Sequence, residues 1–312
     1  MPDEQNCRLC SSTLGPKPRH MVRESWKSWK YVHCEHCGAL FLDPLPNEEA
    51  LQNYYNKTYV VPAEAYAVGT ARNAPEALRE LGARVRHPGK LLEIGCSYGL
   101  FLGRAQKAGW EVTGIELDDT AAKHGREELG LKIFSGTLES EFANLDPPYG
   151  AIATFHVIEH TREPVAFLRH CRELLAENGV LILKTPNAAS WIASATGSWW
   201  QWLCPPAHIH LFSPKTLEIM LTRAGFRVDR IWSRRGDANN NAFELACALG
   251  RYAFSRRSKE EASNGRTSSS NRWQVNAARA ASEIVYSPFA FLVDPWLGRK
   301  GLQPELVAIA RG

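Results

Sequence analysis

From Gly89 onward the chain alternates between two hydrophobic periods. Short apolar runs (KLLEIG, EVTGIEL, LKIFSG, AIATFHVI, VLILKTPN) are separated by FLGRAQKAG, DTAAKHGREELG and PVAFLRHCRELLAENG, which read as amphipathic helices. Strands that alternate with helices require crossover connections, so the pattern predicts an α/β fold: a doubly wound, mostly parallel sheet covered by helices on both faces. Past Pro186 the rhythm is broken by an aromatic-rich stretch, NAASWIASATGSWWQWLCPPAHIHLFS. Ser213 and Pro214 then supply an N-cap and a first-turn proline, predicting a helix over SPKTLEIMLTRAG that closes at Gly225. FRVDRIW and the terminal ELVAIA read as strands, and between them the charged, Ser-rich SRRSKEEASNGRTSSSN reads as a loose loop. Upstream, GALFLDPLP predicts a short strand and a Pro-bounded turn, followed by a helix starting near Asn47. The expected organisation is an arm over 1–45, a helical linker and pocket cover over 46–88, and a main domain over 89–312 with insertions at about 187–212 and 233–300.

The 312 residues, 44% hydrophobic and 22% charged, suit one large domain with an appendage and exclude collagen-like and wholly disordered chains. A net charge of +4, with acids mixed among the bases, lacks the clustered cations of a polyanion binder, so nucleic acid is not an expected partner. No apolar run approaches the roughly 18 residues of a membrane span, and MPDEQNC carries acids where a signal peptide would be basic and then apolar. A cytoplasmic location is the expectation. Eight cysteines are too few for a disulfide scaffold.

Four of those cysteines form two C-x-x-C pairs, Cys7 with Cys10 and Cys34 with Cys37, separated by 23 residues. Thiolates hold Zn²⁺ tetrahedrally, and each C-x-x-C turn brings two sulfurs to one ion. The gap exceeds the usual 15–20 residues, but a longer loop costs only a fraction of a kcal/mol in closure entropy. With all four positions filled by sulfur, the expected zinc is structural, because no position remains for a reacting water.

LLEIGCSYG carries the candidate cofactor chemistry. A parallel strand ends at Glu93 and Ile94, the chain turns at Gly95 and Gly99, and a helix begins, aiming backbone N–H groups at the carboxyl end of the sheet. Ser97 stands between the glycines, so the register is G-x-S-x-G and the third glycine of a nicotinamide fingerprint is missing. Some twenty residues on, the next strand ends in Glu116, placed to accept both hydroxyls of an unphosphorylated ribose. Glu93 can receive an ammonium group, which S-adenosylmethionine has and NAD lacks.

On these residues the segment from about Leu91 to Gly225 resembles the class I S-adenosylmethionine-dependent methyltransferases, in particular the ubiquinone-pathway-like group with H-V-I-E-H after its fourth strand. The resemblance implies a seven-stranded sheet, Glu116 on the ribose, Leu117 flanking the adenine, Leu138 and Glu139 edging it, and Phe155 and His156 lining the cofactor. The cysteine arm, with the following D-P-L-P and YYNKTY, is similar to zinc-bearing methyltransferases of sugar C-methylation and polysaccharide pathways. The implied activity is methyl transfer to an O or C atom of a small molecule: a sugar, polysaccharide precursor, quinone-like compound or secondary metabolite. Two other readings stay open, an RNA methyltransferase whose arm clamps nucleic acid and a non-catalytic zinc-ribbon module on an inactive core.

His156-Val157-Ile158-Glu159-His160 also spells the inverted zinc-protease signature, but it follows a strand and precedes the next helix, where two imidazoles cannot share a helical face. Asp146-Pro147-Pro148-Tyr149 resembles a nucleic-acid methyltransferase tetrapeptide, yet precedes the fourth strand and reads as a turn. Transfer to a hydroxyl or acidic carbon needs a base, for which His208 and His210, two apart on an extended segment of the substrate-side insertion, are the candidates. Each could equally cap or pack. His156 and His160 come next, and Cys96 reads as a small packing residue. Trp191, Trp199, Trp200 and Trp202 read as a substrate lid ahead of the alternative, a hydrophobic cover for the sheet edge, and Tyr54, Tyr55 and Tyr59 as closing the cofactor from the other side.

Overall fold

A computed structural model describes residues 6–15, 19–23, 26, 29–57, 74–235 and 296–312. The arm contributes β1 (Arg19–Met21), β2 (Lys30–His33) and β3 (Leu40–Asp43), followed by α1 (Glu48–Lys57) and a second helix, α2, over 74–82. The main domain runs β4 (Lys90–Ile94), α3 (Leu100–Lys107), β5 (Glu111–Glu116), α4 (Asp119–Leu129), β6 (Lys132–Ser135), α5 (Leu138–Glu141), β7 (Tyr149–Phe155), α6 (Pro164–Leu174) and β8 (Leu175–Pro186). It continues through α7 (Trp191–Thr196), β9 (His210–Leu211), α8 (Pro214–Arg223), β10 (Arg227–Arg234) and β11 (Glu305–Arg311). The loose loop expected within 233–300, Cys247 and Tyr59 lie outside the described residues.

Seven strands form one sheet in the order β10-β11-β8-β7-β4-β5-β6. Five strands, β8-β7-β4-β5-β6, pair in parallel and β11 runs antiparallel to both of its neighbours, giving the doubly wound, mostly parallel sheet that the periodicity calls for. Alternation explains how both faces are covered. Leu92, Ile94, Ile152, Leu181 and Leu183 turn to one face and meet Phe167, Leu168, Leu217 and Leu221 of α6 and α8. Leu91, Ala151, Ala153, Val180 and Ile182 turn to the other, against Phe101 and Leu102 of α3 and Ala77 and Leu81 of α2.

The helix starts follow their capping residues. Asp118 accepts from the N–H groups of Thr120 and Ala121, Ser213 from that of Thr216, and Asn47 from that of Ala50. Gly225, at φ +90°, ends the last helix as expected. One boundary differs from the sequence pattern. The helix expected over PVAFLRHCRELLAENG stops at Leu174, because Leu175 turns extended and pairs with Tyr149 at the foot of β7. Asp146 lies at that same amino end of the sheet, paired with Lys90 at 2.5 Å, so the D-P-P-Y segment is a turn remote from the strands' carboxyl ends.

The arm, expected as a unit over 1–45, does not stand apart. Its antiparallel sheet has the order β1-β2-β3-β9, so the fourth strand comes from the 187–212 insertion. Its cysteines pack in the same apolar cluster as α6 and α8. Ser213 Oγ and Thr216 Oγ1, the latter at 2.8 Å, donate to the Cys37 carbonyl, and Lys215 Nζ donates to that of His36 at 2.6 Å.

Candidate active site

The bend between β4 and α3 is built from three left-handed residues in alternation: Gly95 (φ +74°), Ser97 (φ +48°) and Gly99 (φ +75°). A Cβ on Gly95 would come within 2.3 Å of Val157 Cγ2, so the glycine is required both by the backbone and by the loop after β7 that packs on it. Gly95→Ala is expected to cost about 2–5 kcal/mol, combining left-handed strain with overpacking. Chemical denaturation reads this as a lower midpoint, and an unchanged midpoint would contradict the close packing.

Glu116 faces this bend. Its Oε2 accepts from Ser97 N–H at 2.7 Å and its Oε1 from Asp118 N–H at 2.8 Å. Burial pushes its pKa up, while these N–H donors pull it back toward the carboxylate. Each oxygen has a second lone pair, enough to take two ribose hydroxyls. Glu93 is 4% exposed and its Oε2 has no hydrogen-bond partner, and burial, with Glu116 adding to it, raises its pKa well above the usual carboxylate range. A buried acceptor without a donor beside the bend suits an incoming ammonium group. Leu117 is 52% exposed, a large apolar side chain left open next to Glu116 where a flat adenine would cover it. Glu139 is exposed at the start of α5, whereas the Leu138 side chain is buried in the core. Phe155 packs edge-on against Phe101. Cys96 is buried and packs in the core, as expected.

The H-V-I-E-H loop is not a helix. His156 has φ +57°, and Ile158–His160 form a single 3₁₀ turn. His156 Nδ1 lies 3.2 Å from Glu159 Oε1 and its Nε2 2.9 Å from Glu305 Oε1. Burial alone would lower this imidazole, but the two carboxylates raise its pKa to about 10. Both ring nitrogens are engaged, which excludes the protease-type metal role. Glu305, at the start of β11, has no counterpart in the sequence reading; it reaches His156 because the antiparallel strand starts where β8 ends.

His208 is 9% exposed, with Nδ1 2.6 Å from the Trp202 carbonyl. That contact makes Nδ1 the donor and leaves Nε2 as a lone-pair acceptor. Burial, with His160 adding to it, lowers the His208 pKa to about 4. One ligand atom each of Glu159, His160 and His208 lie within 4.8 Å of one another, a set that could also hold a divalent cation. His160 Nδ1 meets Tyr55 Oη at 3.0 Å, and Tyr54 Oη lies 3.7 Å from Cys204 Sγ, so these tyrosines face the histidine cluster. Burial, with the Tyr54, Glu159, Cys204 and Glu116 charges adding to it, pushes the Tyr55 hydroxyl well above its usual range.

His210 lies on β9, and His208 lies two residues before its start. His208 follows a turn in which its N–H donates to the Cys204 carbonyl. His210 is 1% exposed, its Nε2 meets the Arg162 carbonyl at 3.3 Å, and burial lowers its pKa to about 4. Trp202 stacks on His156 at 5.5 Å and on His208 at 5.7 Å, and Trp200 is buried in the cluster that joins the arm to the insertion.

The cysteine sulfurs come together as the spacing predicts. Cys7 and Cys37 Sγ are 3.8 Å apart, as are Cys10 and Cys34 Sγ, and all four lie within 4.8 Å of one another. A tetrahedron with Zn–S bonds of about 2.3 Å has edges of about 3.8 Å.

Comparison with known proteins agrees with this geometry. Residues 66–231, more than half of the chain, match the family model described as a methyltransferase domain. A ubiquinone biosynthesis O-methyltransferase of Caulobacter sp. (strain K31) is 32% identical over 137 residues, covering 37% of this chain and 54% of that protein. Its namesake in Cereibacter sphaeroides (strain ATCC 17029) is 31% identical over 173 residues, covering 52% and 70%. The chain thus spans about half the length of the first relative and just over two thirds of the second. In fold, a crystal structure from Galdieria sulphuraria, titled as a candidate sarcosine dimethylglycine methyltransferase, matches with a TM-score of 0.51 at 14% identity over 85% of this chain and 98% of that one. By its sheet order, its sequence relatives and the domain match, the chain belongs to the class I S-adenosylmethionine-dependent methyltransferases.

Proposed function

We propose that the chain transfers the methyl group of S-adenosylmethionine to a hydroxyl oxygen of a small molecule, with His208 as the base. The observation that carries the base assignment is the orientation of His208. Its Nδ1–H is spent on the Trp202 carbonyl, its Nε2 lone pair is free, and a depressed pKa keeps it unprotonated at neutral pH. The adenosyl group would lie between the bend at Gly95, Ser97 and Gly99 and the Glu116 carboxylate, over Leu117 and beside Glu139 and Phe155. Glu93 would receive the ammonium group. Transfer to oxygen is favoured over carbon because the named relatives are O-methyltransferases of ubiquinone biosynthesis, and a quinone-like phenol is the acceptor class to try first. No helix among the described residues is long and apolar enough to cross a membrane, and a cytoplasmic enzyme acting on a diffusing acceptor is the reading adopted. Incubation with methyl-labelled cofactor and a panel of phenols, sugars and RNA tests this proposal. Label in a phenol or sugar hydroxyl supports it, and label in RNA alone sinks it.

Under the same proposal the four cysteines hold one structural Zn²⁺, fixing the arm on α8. Freshly purified protein is expected to carry one zinc per chain. Cys37→Ser is expected to lose that metal and unfold the arm at a lower temperature. Metal analysis returning well under one equivalent, with the arm intact, would reject the zinc.

A further inference from the structure

The backbone N–H and C=O groups of His208 and Ile209 are all paired, and two of the four pairs reach the arm. The His208 N–H donates to the Cys204 carbonyl at 3.1 Å and the Ile209 N–H to the Glu159 carbonyl at 2.8 Å, both within the main domain. The two carbonyls go the other way. Ile209 C=O accepts from Leu42 N–H at 2.9 Å, and His208 C=O accepts from Tyr31 Oη at 2.6 Å. Tyr31 and Leu42 are register partners across β2 and β3, so one rung of the arm's sheet holds two consecutive carbonyls. His210 and Leu211 then pair with Phe41 and Leu40 of β3.

We propose that Tyr31 is a positioning residue for the His208 imidazole, making the cysteine arm a working part of the transfer site. This rests on His208 being the base. Of the four backbone contacts, only that from Tyr31 is made by a side chain, so it can be removed by one atom. Tyr31 is fully buried and packs edge-on against Trp26 at 5.5 Å, which keeps the ring in place if the hydroxyl is deleted. Without that donor the His208 carbonyl is released from β2, and the ring that hangs from the same residue loses its fixed distance to the acceptor. Tyr31 touches neither reactant in this account and acts through His208 alone.

A double-mutant cycle tests the assignment. Tyr31→Phe is expected to lower kcat about tenfold or more, with the Kd for S-adenosylmethionine unchanged. In a His208→Ala background the same substitution is expected to lower kcat no further, because the group it positions is gone. A second, milder variant keeps the proposal testable if Tyr31→Phe does not fold. Trp26→Phe, which loosens the ring packed edge-on against Tyr31, is the variant that acts through Tyr31 itself, and its loss of kcat is expected to vanish in the His208→Ala background. Undiminished kcat in the folded Tyr31→Phe variant, or an equal fold-loss with and without His208, would overturn the proposal. If His208→Ala alone leaves turnover at the wild-type level, the base assignment fails first, which separates that failure from a failure of Tyr31.

Discussion

Replacing Glu116 with alanine should weaken S-adenosylmethionine binding by two orders of magnitude or more. The carboxylate is held at the bend by the N–H groups of Ser97 and Asp118 at 2.7 and 2.8 Å, so its free lone pairs are aimed before any ligand arrives. Hydrogen bonds to a charged group contribute about 1.5–3 kcal/mol each, and two ribose hydroxyls make the expected loss about 3–6 kcal/mol, or roughly 10²- to 10⁴-fold in Kd. Glu116→Gln should fall between, because an amide oxygen still accepts while its NH₂ opposes a backbone donor. Calorimetric titration measures both variants, and a Kd within threefold of wild type for Glu116→Ala would remove Glu116 from the cofactor site.

The second large effect concerns turnover. His208→Ala is expected to reduce kcat by about 10²- to 10⁴-fold, the usual contribution of a positioned base, with cofactor affinity little changed. His210→Ala should leave most of the activity, since the ring is 1% exposed and its unpartnered Nδ1 is sealed inside the protein, away from any acceptor. The pH dependence has a definite sign. A base whose pKa is lowered from 6.5 to about 4 stays unprotonated well below neutrality, so kcat should hold at pH 6 and fall only as acid approaches that lower value. Stability moves in the same direction. Between about 6.5 and 4 the unfolded chain binds protons at His208 and His210 that the folded chain refuses, so stability is complete above that window and declines as pH falls through it. His156 has the opposite sign, its stabilisation being present below 6.5 and lost as pH rises through about 10. A kcat profile with its acid limb centred near 6.5 would contradict the buried, neutral His208.

The sheet was legible because its information is local. The apolar runs that end at Glu93, Glu116 and Phe155 became parallel strands with those residues at their carboxyl ends, and capping residues such as Asp118 and Ser213 marked the helices. Glu116 facing the bend followed from strand order alone. The histidine cluster was only half legible. His208 stood out by composition, but its contact with His160 and Glu159 depends on a 3₁₀ turn inside a motif that mimics a helical metal signature. Glu305 and Tyr31 were missed for a simpler reason. Each reaches the site across a long separation in sequence, one through the antiparallel pairing of β11 and the other through a two-residue strand that no periodicity could reveal. Trp202 stood out by aromatic density, and its stacking on His156 and His208 puts it beside the site, a contact that a ligand platform and a packed layer would both make.

The most direct test is a crystal structure with S-adenosylhomocysteine bound. The ribose hydroxyls should lie within hydrogen-bonding distance of Glu116, the adenine over Leu117, and the amino group within reach of Glu93. Density for the nucleoside anywhere else, with Glu116 contacting only Ser97 and Asp118, would contradict the shared adenosyl site on which the account stands.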